Sequence, residues 1–160
     1  MKAVTVKEIS QELINLTPKE LRDLCLSLAR FKKENKEFLT YLLFESSDEA
    51  SYVESVKKEI DRQFEQVNRK SYYFIKKGLR KILTNTRKFI RYSRNRKSEI
   101  DLMIYFCLKL KEFKPSIQRN AALRNLYMRQ IETIREKLDS LHEDLRYDYE
   151  PELDKIKNLF

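Results

Sequence analysis

Ser98-Glu-Ile-Asp-Leu-Met-Ile-Tyr-Phe-Cys-Leu-Lys-Leu-Lys-Glu-Phe113 decides the fold. Ile100, Leu102, Met103, Ile104, Phe106, Cys107, Leu108 and Leu110 run nearly all the way round a helical wheel, where a surface helix would confine them to one stripe. Ser98 is placed to cap this segment and Pro115 to close it, so a helix from Glu99 to about Phe113 is expected, central and buried. The longest apolar run within it, Leu102 to Leu108, is seven residues, far short of a membrane span. A helix that is apolar on every side needs other helices around it.

Composition agrees. The 160 residues include one glycine, Gly78, and three prolines, Pro18, Pro115 and Pro151. Tight hairpins draw on glycine for positive φ, so a sheet-rich fold is not expected. Neither the Walker spacing nor the dinucleotide fingerprint can be written with one glycine, which removes phosphate-cradling loops and the nucleotide enzymes built on them. Hydrophobic residues at 41% argue against disorder, and charged residues at 37% suit helices with wide solvated faces. The length fits one domain, residues 1–160, with a core that needs no disulfide or metal. Cys25 and Cys107 each lie among apolar residues and read as buried free thiols, which points to the cytoplasm. Met1 to Leu13 has no apolar stretch of signal-peptide type.

Working outward, Ile9, Leu13 and Leu16 give a short first helix over Val6 to Leu16. Thr17-Pro18-Lys19-Glu20 has the form of a capping box, with proline at the first helical position. The helix it opens carries Leu21, Leu24, Cys25 and Leu28 and runs to about Phe31. After a polar break at Lys32 to Asn35, Glu37 to Phe44 forms its hairpin partner. Asp48, with Ser46 and Ser47, offers the next N-cap. Val53, Val56, Ile60, Phe64 and Val67 then step by three or four. The same rhythm continues through Ile75, Leu79, Ile82 and Ile90, but one helix from Asp48 to Tyr92 would be exceptionally long, which favours a break near Asn68. Ser93 to Lys97 reads as a loop. Beyond Pro115 a long helix is expected from about Gln118 to Leu145, with Tyr127, Ile131, Ile134, Leu138, Leu141 and Leu145 in a heptad seam suited to packing in a bundle. Pro151 is expected to start a short last helix through Leu153, Ile156 and Leu159, after an acidic, aromatic turn at Tyr147 to Pro151.

The expected fold is therefore all-α, with seven or eight helices in antiparallel helical hairpins, as a bundle or a short solenoid-like stack. The pairs Pro18 to Phe44 and Ser71 to Phe113 share an outline with the HEAT and armadillo type of helical hairpin, although no residues match at a fixed period. The stretches Leu16-Thr-Pro-Lys-Glu-Leu21, Tyr41-Leu-Leu-Phe-Glu45 and Ile104-Tyr-Phe-Cys-Leu-Lys-Leu110 resemble a family of small all-helical bacterial proteins of unknown function. That resemblance implies the fold class and carries no activity or site residue.

The functional signal is electrostatic. Gln66 to Ser98 holds twelve lysines and arginines and no aspartate or glutamate, in a chain of net charge +9, so the remainder nets −3. At about 100° per residue, Arg69, Lys70, Lys76, Lys77, Arg80, Lys81, Arg87, Lys88, Arg91 and Arg94 fall within an arc of roughly 140°. Tyr73 lies in that arc, with Phe74 and Tyr92 at its edge, and Arg96 and Lys97 extend the basic run. Ile75, Leu79, Ile82, Leu83, Phe89 and Ile90 fall opposite. Like charges four apart repel by a few tenths of a kcal/mol per pair, so the face calls for compensation. The chain's own acids could supply it: Asp48, Glu49, Glu54, Glu59, Asp61 and Glu65 before the face, or Glu143, Asp144, Asp148, Glu150, Glu152 and Asp154 after it. An acidic protein surface could supply it, as could the phosphate backbone of a nucleic acid with Tyr73 stacking on bases. An anionic membrane surface is the least expected, because the apolar side of the segment is needed for the core. Gly78, at the border of that side, could admit a close neighbour.

No catalytic signature accompanies the charge. His142 is the one histidine and no cysteine cluster exists, so no zinc site, no di-iron Glu-x-x-His pair and no metal or organic cofactor is expected. Glu132, Glu136, Asp139 and Glu143 alternate with Arg135 and Lys137 as a solvated ion-pair face. The sequence thus leads to a non-enzymatic macromolecular interaction module, monomeric or weakly dimeric, that presents a basic helical face to an acidic partner. The alternative is a nucleic-acid backbone binder using residues 69–97.

Overall fold

The computed structural model describes residues 2–157, with the side chain of Asp144 excepted. Leu159, expected on the last helix, and the Asp144 carboxylate therefore lie outside the described residues. Among the described residues there are eight α-helices and no strand: α1 (Val6–Ile14), α2 (Pro18–Phe31), α3 (Lys33–Thr40), α4 (Glu49–Glu65), α5 (Tyr72–Ser93), α6 (Arg96–Glu112), α7 (Ala121–Asp139) and α8 (Glu143–Lys157). A π-helical turn, Tyr41–Glu45, follows α3, and a 3-10 turn, Ile117–Arg119, precedes α7. The fold is all-α. It divides into two compact units, residues 1–44 and residues 45–160.

The first unit is built from local signals. Thr17 and Glu20 form the expected box, with the Glu20 amide donating to Thr17 Oγ1 at 3.3 Å and the Thr17 amide to Glu20 Oε2 at 2.8 Å. Thr5 and Glu8 repeat the arrangement at the start of α1, at 3.3 and 2.7 Å. The Thr17 and Thr5 hydroxyls, each donating to its glutamate's Oε2 at 2.7 Å, and then the threonine amides hold both carboxyls below the usual range. The break after α2 is a single extended residue, Lys32, shorter than the four-residue break expected, and α3 starts at Lys33. Asn35 Nδ2 donates to the Leu28 carbonyl at 2.8 Å and ties α3 back to α2, which packs against it. None of α1, α2 or α3 contains a buried residue, and Cys25 is exposed, contrary to the expectation of two buried thiols. α2 packs against the eight-residue α3, a helix too short to cover it, and Leu24, Leu26, Leu28 and Phe31 stay exposed.

The second unit is built on burial. α6 packs against α4, α5, α7 and α8, and eight of its residues are buried, so it is the central helix its composition demanded. The helices gather round it as a bundle. Asp48 caps α4, accepting from the Ser51 amide at 3.1 Å, and Val53, Val56, Ile60, Phe64 and Val67 enter the core. Basic residues do not extend this helix: it stops at Glu65, and α5 begins anew at Tyr72. Gly78 sits where a Cβ would meet Val67 Cγ1 at 3.2 Å, so the missing side chain makes room for Val67 in the connection before α5. Cys107 is buried, and burial pushes its thiol up to about 12.

Tyrosines tie the bundle together. Tyr52 on α4 donates to the Phe89 carbonyl on α5 at 2.9 Å, and Tyr72 on α5 to the Ser116 carbonyl at 3.0 Å. Tyr127 on α7 reaches the Ile156 carbonyl on α8 at 2.6 Å. Tyr105 on α6 donates to Asp61 Oδ2 at 2.7 Å, and Tyr149 on α8 to Asp101 Oδ1 at 2.7 Å. Each hydroxyl satisfies its polar end inside an apolar contact. Burial, then the facing carboxylate, raises Tyr105 and Tyr149 above the ordinary phenol range.

Three boundaries differ from expectation. Ser98 does not cap α6: Asn95 does, accepting from the Lys97 and Ser98 amides at 2.9 and 3.2 Å, while the buried Ser98 hydroxyl donates to Glu49. The predicted loop from Ser93 to Lys97 shrinks to Arg94 and Asn95. α7 ends at Asp139 rather than Leu145, because Ser140 caps it and His142 opens α8, its carbonyl accepting from the Leu145 and Arg146 amides at 3.1 and 3.2 Å. Tyr127, Ile131, Ile134 and Leu138 are buried as the seam required, but Leu145 belongs to α8 and is exposed. Pro151 lies inside α8, not at a helix start, so Tyr147 to Pro151 is helix rather than turn. The carbonyl that proline leaves without an amide partner belongs to Tyr147, an exposed residue, where water can serve it.

Candidate functional site

α5 sorts its side chains as the wheel required, except that Phe89, expected with the core residues, is only half-buried. Ile75, Leu79, Ile82, Leu83 and Ile90 are buried. Thr86 joins them, its hydroxyl donating to the Ile82 carbonyl at 3.0 Å so that the core receives only its methyl side. On the other side Lys77, Arg80, Lys81, Arg87 and Arg91 are exposed, with Lys76 and Lys88 half-buried. Tyr73 is 65% exposed and Phe74 43%, their rings edge to face at 5.3 Å.

The candidate residues outside α5 do not share its axis. Arg69 and Lys70 lie in the connection before it, and the Arg69 guanidinium stands 4.9 Å from the centre of the Phe113 ring. Arg94 closes α5 in the left-handed region at φ 54°, a place usually given to glycine. Arg96 and Lys97 belong to the first turn of α6. Lys97 lines a different cleft, with Lys57, Asp101, Tyr105 and Tyr149. The single cylinder from Arg69 to Lys97 is thus corrected to a cationic α5 with flanking cations on separate elements.

Several of the acids expected to face this helix are engaged elsewhere. Glu54 pairs with Lys57 at 2.7 Å, Glu59 with Arg62 at 2.6 Å and Asp61 with Lys109 at 2.8 Å. At the C-terminal end Glu152 pairs with Lys155 and Asp154 with Lys157, both at 3.1 Å. Among the described residues no carboxylate forms an ion pair with Lys76, Lys77, Arg80, Lys81, Arg87 or Arg91. Each of these five acids has its cation on its own helix or on α6.

A cleft runs beside this face between α5 and α7. One part, of about 310 Å³, is lined by Arg87, Arg91, Lys137 and Glu99 over Ile90, Ile100, Met103 and Ile134. The adjoining part, of about 700 Å³, adds Arg80 and Thr84 from α5 and Asn125, Arg129, Glu132 and Glu136 from α7. Arg87 and Thr133 border both. Arg87 is held in place: its Nη2 donates at 2.9 Å to Gln130 Oε1, and Gln130, only 3% exposed, is anchored in turn by its own Nε2 to the Leu126 carbonyl at 3.1 Å. Lys137 is paired with Glu99 at 3.0 Å. Sequence reading placed Glu132 and Glu136 on a solvated ion-pair face and did not join them to α5. The shared packing of both helices on α6 and the Arg87–Gln130 hydrogen bond bring the two together.

His142 is exposed beside the start of α8. Among the described residues no group of His, Cys, Asp and Glu side chains is placed to hold a metal ion, and no helix is long and apolar enough to cross a membrane. No family model, curated protein or solved structure matches the chain. The family resemblance read from the three short stretches therefore carries no argument here.

Proposed function

We propose that this chain is a non-enzymatic interaction module that offers the cationic face of α5 to an acidic macromolecular partner. The observation that supports the reading is the set of six cations on α5 with which, among the described residues, no carboxylate forms an ion pair. Stability alone gives no reason for them. Lys76 and Arg80, Lys77 and Lys81, and Arg87 and Arg91 are like pairs four apart, each costing a few tenths of a kcal/mol. A partner that neutralises them gains that relief together with long-range attraction. The reading sets the protein in the cytoplasm, where free thiols persist, as a monomer or weak dimer.

A second reading, a nucleic-acid backbone binder, is favoured by Tyr73 and Phe74, which stand exposed at the start of the basic helix where bases could stack on them. One titration addresses both. Labelled polyglutamate and a labelled thymidine oligonucleotide are titrated against the wild type and against Lys77→Glu, Arg80→Glu, Lys81→Glu, Lys88→Glu combined. The acidic-partner reading expects binding that the reversal abolishes. An oligonucleotide that binds more tightly, and loses affinity with salt by a slope of about 0.7 per phosphate contacted, favours the second reading. Binding that survives the reversal places the site elsewhere.

A further inference from the structure

We infer that the cleft between α5 and α7 is a docking site for an acidic amphipathic helix, whose carboxylates meet the α5 wall while an apolar side chain enters the space over Ile90, Ile100, Met103 and Ile134. The inference rests on the interaction-module reading above and names the partner's chemistry.

Four observations carry it. First, the cleft has two adjoining parts of about 310 and about 700 Å³, and the smaller is a recess whose floor is the nearly buried Ile90, Ile100, Met103 and Ile134 beneath a charged rim. Second, the charge of the walls is uneven. α5 presents Arg80, Arg87 and Arg91, whereas α7 presents Glu132 and Glu136 beside Arg129, and Lys137 is already paired with Glu99. A polymer negative on every side would press charge against Glu132 and Glu136. A segment acidic along one side only would not. Third, Arg80, Arg87 and Arg91 are spaced by seven and four residues, about 10 and 6 Å along the axis. Carboxylates at the same spacing on a second helix laid along α5 meet them in register. Fourth, Arg87 is fixed by the buried Gln130, so its guanidinium is presented without the rotamer cost of ordering it on binding.

The test uses the full chain and synthetic helical peptides of about 18 residues, long enough to hold some helix on their own. One peptide carries glutamates on one side and leucines on the other. A second replaces the leucines with glutamine at constant charge. A thymidine oligonucleotide of similar length completes the set. Each is titrated against the wild type, against Thr133→Phe, which fills the cleft from its rim, and against the fourfold α5 reversal. The leucine peptide is expected to bind the wild type at least about tenfold more tightly than the glutamine peptide, and Thr133→Phe is expected to erase that difference while leaving the glutamine peptide's affinity as it was. Equal binding of the two peptides to the wild type, still lost on α5 reversal, overturns the docking inference and leaves the module reading intact. That comparison needs no variant inside the cleft, so a misfolded Thr133→Phe cannot hide the result. An oligonucleotide that outcompetes both peptides also overturns the inference. Failure of every acidic probe to bind the wild type overturns both.

Discussion

Residues 1–44 and residues 45–160 are folded by different means. In the first unit α1 and α2 each open on a full capping box, and no helix from α1 to α3 buries a residue. In the second unit α5, the longest helix, has no side-chain cap at all yet buries six residues. Caps fix where a helix begins but add only about 1 kcal/mol each, whereas a core of fully buried leucine, isoleucine and phenylalanine adds several per residue. The comparison teaches that a helix can be sharply bounded and weakly held, or loosely bounded and strongly held. The cationic face depends on the second kind of support, because α5 has no side-chain cap and is seated by what it buries, with tyrosine hydrogen bonds to its neighbours.

The largest effect that could break this contrast is a core deletion. Phe106→Ala in α6 should cost about 3–5 kcal/mol in urea unfolding, while Leu28→Ala in α2, at a half-exposed position, should cost less than about 1 kcal/mol. Comparable losses would mean that the first unit has cover beyond its own helices. Thiol labelling sharpens the same contrast. Cys25 should react with a disulfide reagent at pH 8 at least about 100-fold faster than Cys107, whose buried thiol stays protonated far above that pH. Equal rates would refute it. Gly78 offers a smaller test inside the second unit. Gly78→Ala sets about 1 kcal/mol of helix propensity against the 3.2 Å approach of Val67 and should be close to neutral, whereas Gly78→Leu should cost about 1–3 kcal/mol by displacing Val67.

The smallest effect concerns the caps. Thr17→Ala should lower helix content and cost about 1 kcal/mol. Protonation should act in the same direction. Glu8 and Glu20 titrate lower when their threonines hold them than in the unfolded chain, so their contribution is complete above about pH 4.3 and is lost as pH falls through the depressed values. Far-UV circular dichroism should show an acid loss of helix that Glu20→Gln reduces. A helix signal unchanged from pH 5 to pH 2 would count against capping control of this unit.

What the sequence made legible follows the same division. The box at Thr17, the all-round apolar character of α6 and the two faces of α5 were readable because each is written within a few turns of one helix. The start of α6 was misread because Ser98 is a good capping residue by type, and only the fold shows its hydroxyl taken by Glu49. The end of α7 was missed because no glycine or proline marks it and Leu141 and Leu145 continue the spacing of the seam by coincidence. Exposure of Cys25 depends on how much α3 covers, a tertiary fact. On the candidate surface the α5 cations were found and their openness was not, since the chain's acids could as well have faced them. The cleft with α7 was invisible, because its two walls are some forty residues apart and come together by packing on α6.

The one glycine has a mechanical consequence. With Val67 seated in the notch at Gly78, α5 cannot turn about its axis or slide past the preceding connection without driving a methyl group into its own backbone. Its arginines and lysines are thus graduations on a clamped ruler, and adaptation on binding must come from whatever is laid against it.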